Sequence, residues 1–195
     1  MTNTPDREYS SAFIGAKLIY SPDNGKTWNN DDGSRCTWDD LKQPKRALFF
    51  NEPGDAFSLL TVLQMGRNYE HNTDGYVYIF APNGNSPKSM AQLVLCRTPK
   101  EKIRDRSAYE FFVKRGSDGS ARWSRDVRDR GPVHTFPDGW VNVTVHPYAW
   151  HPSIVFNKPL GVYMMVNWGM GIDENGVWFR KPCYLGVWIA PEPWG

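Results

Sequence analysis

The stretch Ser21-Pro22-Asp23-Asn24-Gly25-Lys26-Thr27-Trp28 decides how this sequence is interpreted. It directly follows residues 16–20, an apolar run that predicts a β-strand. The Asp23 carboxylate can accept backbone N–H groups across a tight turn, Gly25 allows a positive φ, and Trp28 can insert between adjacent sheets. The stretch therefore predicts a structural clasp, called here the 21–28 clasp, whose key residues are Ser21, Asp23, Gly25 and Trp28.

Similar apolar and aromatic runs recur along the rest of the chain. The 17 glycines and 15 prolines interrupt every helical period, so long helices are not expected beyond a short turn at residues 99–103. Turn pairs such as Asp74-Gly75 and Asn83-Gly84 are typical of antiparallel sheets. The sequence thus predicts an all-β protein with strands at residues 16–20, 58–65, 76–81, 92–96, 109–113, 141–145, 154–157, 162–167 and 185–190.

The predicted strands fall into two similar groups. One group consists of residues 58–65, 76–81, 92–96 and the segment around Trp123; the other consists of residues 154–157, 162–167, 185–190 and Trp194. Four strands per repeated unit are typical of a β-propeller blade. We therefore expect a single domain that forms a partial propeller of about two to three four-stranded blades. Residues 1–11 would be a tail, 12–57 half a blade with a long connection, 58–124 a blade, and 125–195 a connection with a further blade.

Composition excludes several classes of protein. With 40% hydrophobic and 14% aromatic residues, the chain is too apolar for intrinsic disorder. A net charge of +2 gives no field that would hold a polyanion, so nucleic acid is not an expected partner, and the basic cluster at residues 100–106 is interpreted as a solvated loop. No apolar run approaches the roughly 20 residues that cross a bilayer, so no membrane partner is expected.

Neither the N-terminal residues nor the cysteines indicate secretion, a metal site or a redox motif. The N-terminal residues do not resemble a secretory signal, so the chain as given is expected to be cytoplasmic unless a leader has been removed. Cys36, Cys96 and Cys183 are too widely spaced for a zinc or redox motif and are interpreted as packing residues. We expect no cofactor and no metal.

The pattern Ser-x-Asp-x-Gly-x-Thr-Trp matches the Asp-box, or BNR repeat, and through it the chain resembles sialidase-like propellers. Further strings are similar to those of uncharacterised bacterial five-bladed propellers related to glycoside hydrolases. These strings are residues 63–69, 74–78, 95–99, 107–112, 152–164 and 190–195. The resemblance covers about residues 12–195 and implies a sialidase-like fold with carbohydrate as the partner. A sialidase also needs an arginine triad and a tyrosine with a partner carboxylate, which the sequence does not place.

In such a propeller the ligand is expected on the face opposite the Asp-box, which selects residues 29–57, 82–91, 124–153 and 168–184. Glycoside hydrolysis requires two carboxyl groups, one to donate a proton and one to attack or to activate water. Asp55 lies just before an inner strand, and Glu52 precedes it by three positions, so we predict these two as catalytic residues. The other acidic candidates within these loops are Asp31, Asp32, Asp173 and Glu174.

Aromatic residues in the same loops are candidates for sugar binding, because sugar rings stack their apolar faces on aromatic planes. A histidine beside them can donate to a ligand hydroxyl. The predicted substrate-binding residues are Tyr148, Trp150, His151 and Trp168, each of which also admits a purely structural role.

Two functions remain open from the sequence. The chain is either a glycoside-hydrolase-like propeller that recognises carbohydrate and cleaves a glycosidic bond, or a non-catalytic propeller fragment that binds carbohydrate or protein. A partial propeller would leave strand edges and an apolar face uncovered, so completion by association into a homo-oligomer is a further expectation.

Overall fold

The computed structural model describes residues 14–37, 48–137, 152–170 and 183–195. These residues form β-strands, short 3-10 helices and a single α-helical turn, α1 (Pro87–Met90), which confirms the all-β prediction. Among them, no helix is long and apolar enough to span a membrane. The strands are β1 (Ile19–Tyr20), β2 (Asn29–Asn30), β3 (Thr61–Val62), β4 (Tyr76–Pro82), β5 (Gln92–Pro99), β6 (Glu110–Arg115), β7 (Ala121–Ser124), β8 (His134–Thr135), β9 (Ser153–Asn157), β10 (Val162–Met170) and β11 (Cys183–Ala190).

The N-terminal sheet is a two-stranded antiparallel hairpin of β1 and β2, with Ile19 opposite Asn30. The 21–28 clasp is the connection between these strands. The hairpin is tied to the next segment through Ala16, whose N–H donates to the Phe50 carbonyl at 3.0 Å and whose carbonyl accepts from the Phe50 N–H at 2.9 Å.

The central sheet has the strand order β3-β4-β5-β6-β7, all antiparallel, and β8 pairs with the first residues of β5. The first predicted group of strands placed the segment around Trp123 directly after residues 92–96. This grouping is wrong. Strand β6 lies between them, since Cys96 pairs with Phe111 and Arg97 with Glu110. The predicted turn after Pro99 is confirmed as the 3-10 helix Lys100–Lys102.

The third sheet has the order β11-β10-β9, and Gln64 bonds to its β9 edge. The second predicted group assigned Trp194 to this sheet as a fourth part, which the structure does not bear out. Trp194 instead packs on the central sheet, with its ring centroid 6.0 Å from that of Trp123 and its Nε1–H donating to the Gly119 carbonyl at 3.0 Å. The predicted strand at residues 141–145 lies outside the described residues.

The central sheet is buried on both faces. One face contributes Tyr78, Phe80, Leu93, Leu95 and Phe112 to a layer shared with residues of the third sheet, including Ile154 and Met165. The other face contributes Val77, Ile79, Val94, Cys96 and Phe111 to a layer covered by Phe49, Phe50, Ala56 and Phe57. Strands buried on both faces read as continuous apolar runs, which explains why residues 76–81 and 92–96 were predicted so clearly.

The packing role of Cys96 is confirmed by this arrangement. Its side chain is fully buried, and burial raises the pKa of its thiol. Cys36 is partly exposed and has no disulfide partner among the described residues.

Candidate functional site

The hydrogen-bonded turn of the 21–28 clasp forms as the sequence predicts. Asp23 accepts from the Thr27 backbone N–H and hydroxyl, both at 2.8 Å, and from the Ser21 hydroxyl at 3.0 Å. The Ser21 oxygen in turn accepts from the Gly25 N–H at 2.6 Å, and Gly25 has a φ of +89°. These bonds, the Thr27 backbone N–H first, hold the pKa of Asp23 below its ordinary value. Asp23 therefore has a structural role, because both of its carboxylate oxygens are used within its own turn.

The prediction that Trp28 inserts between sheets is wrong. Its side chain remains 47% exposed. The hairpin packs on the second apolar layer through Ala16 and Leu18, which precede the clasp, and not through Trp28. The packing role expected of Trp28 belongs to Trp123, whose ring lies 5.9 Å from that of Phe112.

Trp123 follows a second turn that is built around an aspartate, Asp118. There Asp118 accepts from the Ser120 backbone N–H at 3.0 Å and from its hydroxyl at 2.7 Å, two positions on rather than four. The turn at Asp118 is thus shorter than that of the 21–28 clasp.

The strand register places several predicted loops at one end of the two larger sheets, called here the loop end. Strand β4 ends at this end with Pro82, and the Phe57 N–H donates to the Pro82 carbonyl at 3.4 Å. Thr61 lies opposite Phe80, and Gln64 pairs in parallel with Val155, so β9 begins at the same end. Ser153, at the start of β9, pairs with Val166, and β10 continues beyond this pair to Trp168. The Trp168 side chain is 44% exposed. Asp55 and Trp168, both predicted site residues, therefore lie at the loop end.

The other predicted site residues are not all placed. Tyr148, Trp150, His151, Asp173 and Glu174 lie outside the described residues. Asp32 accepts from the Ser34 N–H at 2.8 Å and from its hydroxyl at 2.6 Å, so it serves its own turn.

Asp55 sits in a strained loop. Its φ is +59° and that of Phe57 is +57°, values that residues with side chains rarely adopt. The Asn85 amide donates to Asp55 Oδ2 at 3.1 Å, and the Asn85 N–H donates to the Gly54 carbonyl at 3.3 Å. Gly84 is required here, because a Cβ at this position would overlap the Gly54 carbonyl oxygen. Residues 53–57 and 83–85 are thus locked together.

Arg130 adds a third segment to this lock. Its Nε donates to Asn83 Oδ1 at 2.8 Å, and its Nη2 donates to the carbonyls of Pro53 at 3.1 Å and Asn83 at 3.2 Å. Burial lowers the pKa of Arg130, with Glu52 acting in the opposite direction. An arginine remains charged nonetheless, so the loop end holds a fixed guanidinium beside the Asp55 loop.

Glu52, the second predicted catalytic residue, is held in an ion pair. Arg106 donates to Glu52 Oε1 from Nε at 3.0 Å and also from Nη2. The Glu52 side chain is only 9% exposed, and the Arg106 guanidinium lies over the rings of Phe50, at 5.2 Å, and Phe111, at 4.9 Å. The prediction of a solvated loop at residues 100–106 is therefore wrong for Arg106.

A tyrosine–carboxylate pair lies at the opposite end of the central sheet. The Tyr78 hydroxyl donates to Asp74 Oδ2 at 2.6 Å. Tyr78 is 2% exposed, and burial first, then the bond to Asp74, raises the pKa of its hydroxyl. A buried phenol with a raised pKa is a poor nucleophile, so this pair is a packing feature.

The sequence contained no sign of the side chains that hold residues 52–57. Asn83, Asn85, Arg106 and Arg130 are separated from the residues they bind by 30 to 77 positions. Only the Pro-Gly and Asn-Gly turns at residues 53–54 and 83–84 marked these loops as tight.

Residues 3–165 match the sequence model of a family described as Domain of unknown function (DUF4185). This chain belongs to the DUF4185 family. The matched part of this chain contains the 21–28 clasp, the central sheet and the three locked segments of the loop end. No curated protein matches the chain.

Proposed function

We propose that this DUF4185 domain binds carbohydrate at the loop end and does not cleave it. The observation that carries the proposal is the Asp55–Asn85 hydrogen bond at 3.1 Å, which fixes a carboxylate and an amide on two loops. Such groups donate to and accept from sugar hydroxyls. Backbone strain like that of Asp55 is concentrated in functional sites.

An aromatic surface at the same end supports this proposal. Trp168 is 44% exposed, and an exposed indole offers a plane for the apolar face of a sugar ring. The predicted residues Tyr148, Trp150 and His151 precede β9 in the sequence and lie outside the described residues, and we keep them in the proposed binding surface.

The interactions that already hold the Glu52 and Asp55 carboxylates favour sugar binding over hydrolysis. Cleavage needs one carboxyl group that gives a proton and a second that attacks or activates water. Glu52 would have to break its ion pair with Arg106 to approach a glycosidic oxygen, and Asp55 is held by Asn85. We expect no turnover of a panel of aryl glycosides; turnover that disappears in Asp55→Asn or Glu52→Gln would restore the hydrolase hypothesis.

The proposal is tested by calorimetric titration of the protein with a panel of mono- and oligosaccharides. For any sugar that binds, Asp55→Asn should weaken the affinity by about tenfold or more, since it removes a charge-assisted hydrogen bond. Asp23→Asn is the matched control, because Asp23 is also a hydrogen-bonded turn carboxylate but belongs to the clasp. Equal losses in both variants, or no binding to any sugar, would refute the proposal.

We infer further that the successive sheets are blades of a partial propeller. The central sheet lies between two neighbours, as a blade does, and the sheets follow in chain order.

The outer face of the third sheet supports completion by a second copy of the chain. Val187 and Ile189 on β11 are 53% and 63% exposed, and their register places them further from the loop end than Leu185, which pairs with Trp168. These uncharged side chains can pack against the same side chains of a second copy that lies antiparallel to the first. Sedimentation should show a dimer that Val187→Lys dissociates; a concentration-independent monomer would contradict it.

A further inference from the structure

A cavity of about 90 Å³ lies between the central and third sheets and opens to solvent. Most of its walls are apolar or aromatic side chains of the two sheets, and the residues that follow β11 complete it. It shares no residue with the locked segments of the loop end. The lining residues of the sheets include Phe80, Leu93, Ile154, Tyr163, Met165 and Trp188.

The ring of His134 also lines this cavity. Its Nε2 atom is buried and therefore does not face the cavity. The ring is held in place by two others, with centroids 4.8 Å from Phe136 and 5.4 Å from Trp188. Burial lowers the pKa of His134, so the ring is neutral at pH 7. His134 is thus a neutral part of the wall that does not repel a cation.

Glu192 brings a negative charge to the opening of the cavity. Among the described residues that line the cavity, it has the only charged side chain. Glu192 is exposed, so it lies where the cavity meets solvent. Its charge also acts on the wall, because burial first, and then the charges of Glu192 and Asp74, raise the pKa of the Tyr163 hydroxyl. The opening therefore favours a positive charge.

The opening lies away from the proposed sugar site. Ala190, two positions before Glu192, pairs with Tyr163. The next residue, Val162, pairs with Asn157 at the end of β9. Because β9 begins at the loop end, Glu192 lies towards the opposite end of the third sheet. A ligand here and a sugar at the loop end would bind independently.

We propose that this cavity binds a small apolar cation of the alkylammonium class, whose alkyl groups enter the cavity and whose positive charge faces Glu192. Aromatic rings attract a cation through their π electrons, and the carboxylate adds a Coulomb attraction. An apolar cavity of about 150 Å³ takes up benzene. The smaller volume here limits the ligand to a group such as tetramethylammonium.

The test compares tetramethylammonium with tert-butanol, which has nearly the same shape and size but no charge. Affinities of the full 195-residue chain for both are measured by NMR titration, in the wild type and in Glu192→Gln. The substitution should weaken tetramethylammonium binding by about threefold and leave tert-butanol binding unchanged. No tetramethylammonium binding by the wild type, or equal effects on the two ligands, would overturn the proposal.

The matched control is Glu101→Gln, which removes the charge of an exposed glutamate in the 3-10 helix Lys100–Lys102. It should leave both affinities unchanged, and a loss equal to that of Glu192→Gln would refute the role of Glu192. Added NaCl should weaken tetramethylammonium binding more in the wild type than in Glu192→Gln, because salt screens the carboxylate. Equal salt dependence would contradict the proposal.

Two measurements test the position of the ligand. Ala190→Leu fills the cavity from β11 and should abolish binding of both ligands; retained binding would refute the site. If that variant fails to fold, the wild type still provides a test. Tetramethylammonium should shift the indole N–H signal of Trp188, and shifts confined to residues outside the cavity would refute the site.

Discussion

Asp55 and Asn85 lie 30 positions apart and are joined by a 3.1 Å hydrogen bond from the Asn85 amide to the Asp55 carboxylate. The bond connects two loops whose backbones also touch at Gly54 and Gly84. Because the first loop contains two residues with side chains at positive φ, the second loop must hold it in place.

Removal of this bond should weaken the fold modestly. Asn85→Ala is expected to lower the free energy of unfolding by about 1 kcal/mol, the usual net value of a hydrogen bond. Urea unfolding of the variant and of Asn51→Ala, an exposed asparagine four positions before Asp55, provides the comparison. Equal stability of the two variants would show that Asn85 does not hold the Asp55 loop.

The Glu52–Arg106 ion pair should behave as a coupled structural unit. Glu52→Gln and Arg106→Met are each expected to cost roughly 1–3 kcal/mol, because each leaves a shielded charge without its partner. The double variant should lose less than the sum of the two, by roughly 1 kcal/mol or more. Additive losses in urea unfolding would mean that the pair does not contribute as a unit.

The 21–28 clasp should be sensitive to acid. The pKa of Asp23 in the folded state is below its ordinary value of 3.8. The unfolded chain therefore takes up its proton first as pH falls, so the stabilisation is complete well above pH 3.8 and is lost as pH falls through the folded pKa. The stability difference between the wild type and Asp23→Asn should shrink below that pH. A difference that stays constant from pH 7 to pH 3 would contradict this role of Asp23.

The two tryptophans should differ in their contribution to stability. Trp28→Ala is expected to change the free energy of unfolding by less than about 1 kcal/mol, because the side chain is half exposed. Trp123→Ala should cost roughly 3 kcal/mol, since its ring packs against Phe112, Tyr78 and Trp194. The opposite order in chemical unfolding would restore the original interpretation of Trp28.

The parts of the fold that depend on local patterns could be predicted from the sequence. Strands β4 and β5 were evident because both of their faces are buried, and the clasp bonds were evident because Ser21, Asp23 and Thr27 are neighbours. The place of β6 was not evident, because strand order depends on pairings such as Cys96 with Phe111, which leave no mark in either strand alone.

The candidate site was predictable only in outline. Asp55 and Trp168 were assigned to one end by topology, and the register places them there. The partners of Asp55 and Glu52 come from distant segments of the chain. The sequence therefore could not show that Arg106 forms an ion pair with the Glu52 carboxylate. Exposure of Trp28 depends on whether a second sheet lies against the hairpin, which the motif itself does not determine.

Hydrogen–deuterium exchange with a bound oligosaccharide tests the central claim most directly. On addition of a sugar from the calorimetric panel, amides of residues 53–57 and 83–91 should become protected, because the ligand covers the loops locked by Asp55 and Asn85. Amides of residues 67–75 and 100–108, at the opposite end of the central sheet, should exchange as before. Protection confined to those opposite segments, or no protection anywhere, would contradict carbohydrate recognition at the loop end.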